Sequence, residues 1–592
     1  MSGPRGRSRR RGTGSGGTVS TASRVLMVLI TVFAVTFLLK SHRAVTNEAR
    51  KTVGRPADTP SEKRAGVPPR GGTFSGATSA EDDAFPMRGG GSGAQGFSKE
   101  VRLPQGNKAA EGPMDYVELQ CEGGEPDVDL SYWKDITQDK TYESPWGASA
   151  REARAQGMPQ YVTFEPDNGG FNNIRMAMET VLVFARETGR TLVMPAAQKF
   201  YLLNKPAAEF ADMFPIEYLS DYMDVISMED FLQTEGVTGR LGKRPPGNKI
   251  SGHGKDELQE YLREVADIVP HWNHMEKALV FGPSPENPAV PDDHESQVWL
   301  SEFITAERRQ MGYSEDMQRA RVVHFRSSRD KDGLEYRIFT HFYTFIGFSD
   351  PVAAKHHRRL VRDLVHFRES LFCAAATIVG RLRTAGGGDP GRWSGYYGEW
   401  GGNLADEGGA GVQVAGGEGG DGGGGSIRRS AGFSTFHIRR GDFQYTKMKP
   451  PAETIRAATN DLIRPGEVLF IATDERNKDF FKCFQKEHKV FFLDDFKDVL
   501  EGIDPSYYLM IDTIVASQGR TFVGTWRSTF TGYITRLRGY YRFPTEFSWY
   551  FWDESLKDYI PMSLAKETTP RNPFFMREWP VAWDDIDHDV WP

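Results

Sequence analysis

Apolar and polar positions along this chain switch between a two-residue and a helical period, and the switches mark out elements. Tyr161-Val-Thr-Phe reads as a short buried strand, and Asp167-Asn168-Gly169-Gly170 as a turn. Phe171 to Thr188 has helical spacing, with Ile174, Ala177, Met178, Val181, Val183 and Phe184 on one side. Thr191-Leu-Val-Met is the next strand, so the order predicts a parallel sheet. Arg321-Val-Val-His-Phe is a further strand, and the spacing over Asp350 to Arg383 predicts one long amphipathic helix. The pattern then restarts. Phe433–Ile438, Val468-Leu-Phe-Ile-Ala, Val490-Phe-Phe-Leu and Thr521-Phe-Val-Gly read as strands. Thr454–Leu462, Asn477–Glu487, Tyr507–Ala516 and a segment through Leu537 read as helices between and after them. The fold class expected is α/β, with two Rossmann-like domains facing a cleft.

Low-complexity segments set the boundaries. Residues 41–115 are rich in Gly, Pro, Ser, Thr and charge, which predicts a disordered stem. A glycine-dominated stretch at 384–431, with Gly386-Gly-Gly and Gly422-Gly-Gly-Gly, predicts a disordered insertion, either a surface loop or an inter-domain linker. Rossmann-like domains are therefore expected at 116–383 and 432–592. At the other end, a basic tail (1–24, with Arg5, Arg7, Arg9, Arg10, Arg11 and Arg24) precedes an apolar run from Val25 to Leu39, closed by Lys40. As a helix that run spans roughly 22 Å, short for a plasma membrane and suited to a thinner early-secretory bilayer. A retained signal anchor at 25–40 is expected, and a cleaved signal peptide is the alternative. The basic side would stay cytosolic. That makes a single-pass type II protein of the Golgi or endoplasmic reticulum membrane, with its bulk lumenal.

Composition narrows the partners. A formal net charge of −7 over 592 residues argues against a nucleic-acid partner. The three cysteines, Cys121, Cys373 and Cys483, lack zinc-ligand spacing and leave open one disulfide or none. Asp127/Asp129 and Asp585/Asp587 have DxD spacing but flank the folded part, and no metal site is expected. The candidate chemistry lies at three strand ends: His437/Ile438/Arg439/Arg440/Asp442, Thr473/Asp474/Glu475 and Thr525/Arg527/Ser528/Thr529. Arginine at a strand end suits capture of phosphate oxygens, and the last group opens a helix whose N–H groups suit an anion. The structural alternative is that Ser528 and Thr529 cap that helix, and that Arg439 pairs with Asp442 or Asp474.

Five motifs in collinear order, from about Tyr161 to Tyr541, make the reading specific. Gly169-Gly-Phe-Asn-Asn-Ile-Arg, Phe436-His-Ile-Arg-Arg-Gly-Asp-Phe, Phe470-Ile-Ala-Thr-Asp-Glu, Ile511-Asp512 and Gly524-Thr-Trp-Arg-Ser-Thr-Phe-Thr-Gly together resemble the GDP-fucose protein O-fucosyltransferase family. The back half is most similar to members that modify thrombospondin-type repeats. The resemblance implies the GT-B arrangement, an acceptor-side first domain, a GDP-sugar-binding second domain, and inverting, metal-independent transfer of fucose to a Ser or Thr hydroxyl. GDP-fucose is then the donor substrate, a protein or glycan the acceptor, and no cofactor is required. Residue by residue, the resemblance places His437, Ile438 and Arg439 at the diphosphate, with Arg439 assisting departure of GDP. Asp512 would read the guanine, while Ser528, Thr529 and Phe530 would hold phosphate and base. The turn Asn168, Gly169, Gly170, Phe171, Asn172 would lie beside the fucose, with Asn173 matching a family asparagine.

One position departs from the pattern. The thrombospondin-type enzymes carry a glutamate, their catalytic base, where this chain has Gly169. Either Asp167 or Asp442 substitutes, or the acceptor proton leaves late through the departing phosphate, or the protein is inactive.

Overall fold

A computed structural model describes residues 117–246, 255–286, 309–327, 346–387, 432–551 and 560–561, with short breaks that include 127, 167–168, 444–448 and 527. The expected tail, membrane span and stem, most of the glycine-rich insertion, Asn168 and Arg527, and the Asp585/Asp587 pair lie outside the described residues. Among the described residues no helix is long and apolar enough to cross a membrane.

Ahead of the glycine-rich stretch run β1 (Tyr161–Phe164), β2 (Thr191–Met194), β3 (Val225–Ser227), β4 (Lys277–Phe281), β5 (Arg309–Gly312), β6 (Val322–Phe325) and β7 (Ile346–Phe348). A parallel sheet has the order β3-β2-β1-β6, and β5-β4-β7 form a second, smaller parallel sheet that the sequence pattern does not predict. After the stretch come β8 (Phe433–Ile438), β9 (Val468–Thr473), β10 (Val490–Phe491), β11 (Phe522–Thr525), β12 (Ser548–Phe551) and β13 (Ile560–Pro561). They form a sheet of order β10-β9-β8-β11-β12-β13, parallel except for β13. The expected α/β class with parallel sheets holds.

Five helices position the site: α1 (Phe171–Thr188), α2 (Pro351–Leu364), α3 (Glu369–Ala385), α4 (Tyr508–Ser517) and α5 (Thr529–Tyr540). The single helix expected over Asp350–Arg383 is in fact two. Asp350 and Pro351 start α2, where the Asp350 side chain accepts from the Val352 N–H. It ends because tertiary bonds claim the next residues. The Arg368 N–H donates to the Met213 carbonyl at 2.9 Å, the Arg368 guanidinium to the Ala211 carbonyl at 2.7 Å, and Phe367 turns into the core.

One hydrophobic core runs through both halves. Phe164 of β1, Val181 of α1, Leu371 and Leu382 of α3, Ile511 of α4 and Ile534 of α5 all belong to it. By packing, α3 sides with the second sheet, for it lies along α4 and touches β9. The helix that ends at the expected boundary is thus packed on elements from beyond the glycine-rich stretch.

Cys121 and Cys373 form a disulfide, and Cys483 is free and buried. The bridge closes 252 residues of chain and ties the segment before the first sheet to α3. Loop entropy gives such a closure up to about 5 kcal/mol. Cys373→Ser, or reduction of the wild type, is expected to lower the denaturant midpoint markedly. A midpoint insensitive to reductant would mean the thiols are unpaired.

Candidate active site

Each large sheet has one point where strand order reverses. In the second sheet the chain runs outward from β8 through β9 and β10, then returns to place β11 on the other side of β8. In the first it runs from β1 through β2 and β3, then places β6 on the far side of β1. Ligands of parallel sheets sit at the carboxyl ends of strands at such reversals. The sequence motifs fall there: Arg439 after β8, Thr525 and Ser528 at the end of β11, and Gly169-Gly170 after β1.

Two threonines fix the end of β8. Thr525 Oγ1 accepts from the Arg439 N–H and donates to the His437 carbonyl, both at 2.9 Å. On the opposite side Thr473 Oγ1 donates to the Ile438 carbonyl at 2.6 Å. Asp474 then gathers the turn beyond the strand. Its Oδ1 accepts from the Arg440 N–H at 2.6 Å, and its Oδ2 accepts from the Gly441 N–H at 3.0 Å and from Arg439 Nη1 at 3.1 Å. A Cβ at Gly441 would stand 2.8 Å from that oxygen, so only glycine allows the approach. Arg439 also pairs with Asp442, so both carboxylate partners weighed from the sequence are engaged. With its charge already met by Arg439, Asp442 is badly placed to act as a base. Arg440 faces elsewhere: its Nε donates to Glu475 at 2.9 Å, Nη1 to the Pro450 carbonyl at 3.1 Å, and the guanidinium lies 4.0 Å over the Phe480 ring.

Ile438 is a core residue, whereas His437 is buried and part of the site. Its Nδ1 meets Thr531 Oγ1 at 2.7 Å and its ring lies 4.5 Å from that of Phe530. Gly524 makes this possible, because a Cβ there would stand 2.3 Å from Thr531 Cγ2. Burial, helped by the Arg439 charge, pushes the imidazole down to about 3, so His437 is neutral at physiological pH.

Helix α5 has its N-cap at Ser528, whose side chain makes no capping bond. Its first-turn N–H groups therefore face outward without a side-chain acceptor from that position, the form of an anion site. The capping alternative does not hold for Ser528. On α4, Asp512 is half-buried, and its Oδ1 is sealed from solvent with no hydrogen-bond partner. Burial, together with the charge of Asp494, raises its pKa well above the ordinary carboxylate range. A groove of about 600 Å³ lined by Asp494, Leu500, Ile503 and Tyr508 opens one turn from Asp512.

Across the seam, Gly170 is the N-cap of α1, and Cβ space there is open. Phe171 and Asn172 turn their side chains inward. The Phe171 ring packs with Phe214 and Phe367, and Asn172 Oδ1 accepts from Arg175 Nε at 3.1 Å. Both side chains are buried because they start a core helix, so this turn has main-chain N–H groups and Asn173 to offer. Asn173 Oδ1 is shut off from solvent and accepts no bond.

Two groups escaped the sequence reading. Glu165, just past β1, accepts from Arg263 Nε at 2.6 Å, sits 3.2 Å from His324 Nε2, and accepts the Ser327 N–H at 3.1 Å. Burial would raise its pKa, but the bonds from His324 and Arg263 outweigh that and hold it at about 2. The second is Glu179, which joins Arg175 of α1 to Arg536 of α5 in a sealed network. The signal available was Arg175 and Glu179, charged residues on a helix that is apolar on every face between Met176 and Ala185 apart from Glu179 and Thr180.

The model of the GDP-fucose protein O-fucosyltransferase family matches residues 161–541, well over half of the chain. No curated protein sequence matches it. Among solved structures the chain is similar to POFUT1 in complex with GDP-fucose, with 13% identity, a TM-score of 0.29, and coverage of 66% of this chain and 97% of that one. It is also similar to the NodZ alpha-1,6-fucosyltransferase, known from Bradyrhizobium, soaked with GDP-fucose (13%, 0.31, 68% and 98%). A mutant of Arabidopsis thaliana FUT1 in complex with GDP gives 12%, 0.30, 69% and 76%. These overlaps are loose, and the family match stands on the sequence motifs spread over both halves: this chain belongs to the GDP-fucose protein O-fucosyltransferase family.

Proposed function

We propose that the chain is an inverting, metal-independent glycosyltransferase of GT-B type that moves fucose from GDP-fucose to a Ser or Thr hydroxyl of a secretory-pathway protein. The observation that carries the donor assignment is Asp512. A buried carboxylate oxygen without a donor is costly to the fold, and the N1–H and N2–H₂ edge of guanine supplies the donors it lacks. The uncapped start of α5 and the neighbouring guanidinium of Arg439 suit the diphosphate. In an inverting displacement the hydroxyl attacks opposite the diphosphate, and the main electrostatic need is to stabilise charge on departing GDP. Among the described residues beside the glycine turn, Glu165 is fully engaged and strongly acidic, so it does not serve as base. We assign the acceptor proton to late loss through the departing phosphate. Lumenal placement behind the Val25–Leu39 anchor, in Golgi or endoplasmic reticulum, is supported by the Cys121–Cys373 bridge, which suits an oxidising compartment.

The test is release of the nucleoside diphosphate (GDP or UDP) from a panel of GDP-fucose, GDP-mannose and UDP-sugars, with an extract of secreted proteins as acceptor. GDP-fucose alone is expected to give acceptor-dependent release. Thermal stabilisation by a UDP-sugar alone would remove the fucose assignment. A second reading, an inactive nucleotide-sugar-binding homologue, is favoured by Gly169 where relatives carry a base. It predicts stabilisation by GDP-fucose with no release.

A further inference from the structure

Helices α1 and α5 follow strands of different sheets, yet they touch with their residues paired in step. The guanidinium of Arg175, fifth residue of α1, lies 3.7 Å over the ring of Tyr533, fifth residue of α5. Glu179, ninth in α1, takes a two-pronged bond from Arg536, eighth in α5: Nη1 to Oε2 at 2.9 Å and Nη2 to Oε1 at 2.5 Å. Oε1 also accepts from Arg175 Nη1 at 2.7 Å, and Arg175 reaches forward through Nε to Asn172 in the first turn of α1. Glu179, Arg175 and Arg536 are sealed from solvent. With fifth residue against fifth and ninth against eighth, the turn at Gly170 and the turn at Ser528 stand at the same end of the seam.

Stability does not account for this network. Buried ions lose hydration that their pairing seldom repays, and apolar side chains of like volume often hold a fold as well. What a forked arginine–carboxylate bond does supply is registry, because it allows one axial offset between its helices.

We propose that Glu179, acting through Arg175 and Arg536, is a positioning residue that keeps the first turns of α1 and α5 level, so that main-chain N–H groups from both halves close on one nucleotide diphosphate. The inference rests on the nucleotide-sugar reading above and deepens it. Asp512 sits on α4, outside the network. Base recognition and diphosphate recognition are therefore separable.

The experiment compares GMP and GDP binding by calorimetry in the full chain, in Glu179→Gln, and in a triple variant, Arg175→Met/Glu179→Leu/Arg536→Met, which fills the seam without charge. The wild type is expected to bind GDP at least about 100-fold more tightly than GMP, through charge-assisted bonds to the second phosphate. In the variants GMP affinity should stay within about two-fold, while the advantage of GDP shrinks by about ten-fold or more. A general loss of structure would weaken both nucleotides together. A triple variant that folds and keeps the full GDP advantage overturns the inference, as does failure of both variants to fold, which would make the network a staple only. Absence of nucleotide binding by the wild type is a distinct result: it removes the nucleotide reading itself, and this inference with it.

Discussion

Arg439→Ala should lower acceptor-dependent GDP release by about 100- to 1,000-fold, the range seen when one preorganised donor to a developing anion is lost. Stability should change little. The guanidinium is partly exposed, and its partners Asp442 and Asp474 can turn to water once it is gone. The main chain of residue 439 is held by Thr525 regardless of its side chain. The neighbouring Arg440→Ala is the control with the opposite signature. That side chain stacks on Phe480 and binds Glu475 and the Pro450 carbonyl, so its loss should reduce melting temperature by a few degrees and turnover only modestly. Steady-state GDP release and a melting curve on each variant decide the matter. A larger loss of turnover in Arg440→Ala than in Arg439→Ala would mean that the pair has been assigned the wrong way round.

Asp512→Asn is expected to raise melting temperature and to lower GDP affinity by about 100-fold, since bonds to a charged acceptor are the ones lost. The two effects have one origin. Burial keeps the folded carboxyl protonated to higher pH than the unfolded one. Below the unfolded value, near 3.9, both forms are neutral and the residue costs the fold nothing. As pH rises past that point the unfolded chain ionises first, so the cost of the buried group grows until the folded value is reached, and it stays at its maximum above it. Asparagine removes that cost at neutral pH. Guanine donors favour the ionised form, so GDP affinity should climb with pH through the raised value and then level off. Affinity that is flat with pH and indifferent to Asp512→Asn would take this residue out of the base pocket.

The elements that were legible in the sequence are those whose signals are local. Helix α1 was bounded at Phe171 and Thr188 because a glycine turn stands before it and Gly189 ends it with a left-handed φ of 64°. Strands β8 and β9 announced themselves as short apolar runs closing on polar residues. The strand-end cluster was legible for the same reason, since His437, Arg439, Thr473 and Thr525 each close or adjoin a run that has to be buried. Distance in sequence hid the rest. The break between α2 and α3 depends on carbonyls near residue 211, and the β5-β4-β7 sheet on pairings between separated short strands. Glu179 meets Arg536 across 357 positions, and no local pattern encodes a partner that remote. The inward turn of the Phe171 ring was also hidden, because a motif gives position along the chain, not the direction a ring takes once its helix packs.

The seating of α3 on α4 has a consequence for how such a protein changes over time. A gene segment coding only for the part after the glycine-rich stretch would yield a sheet with one flank of its packing bare. Recombination that exchanged donor-binding modules between relatives would have to move the earlier helix too, together with the cystine that rivets it to the segment ahead of the first sheet. The break that looks most like a natural seam in the text of the sequence is therefore the wrong place to cut.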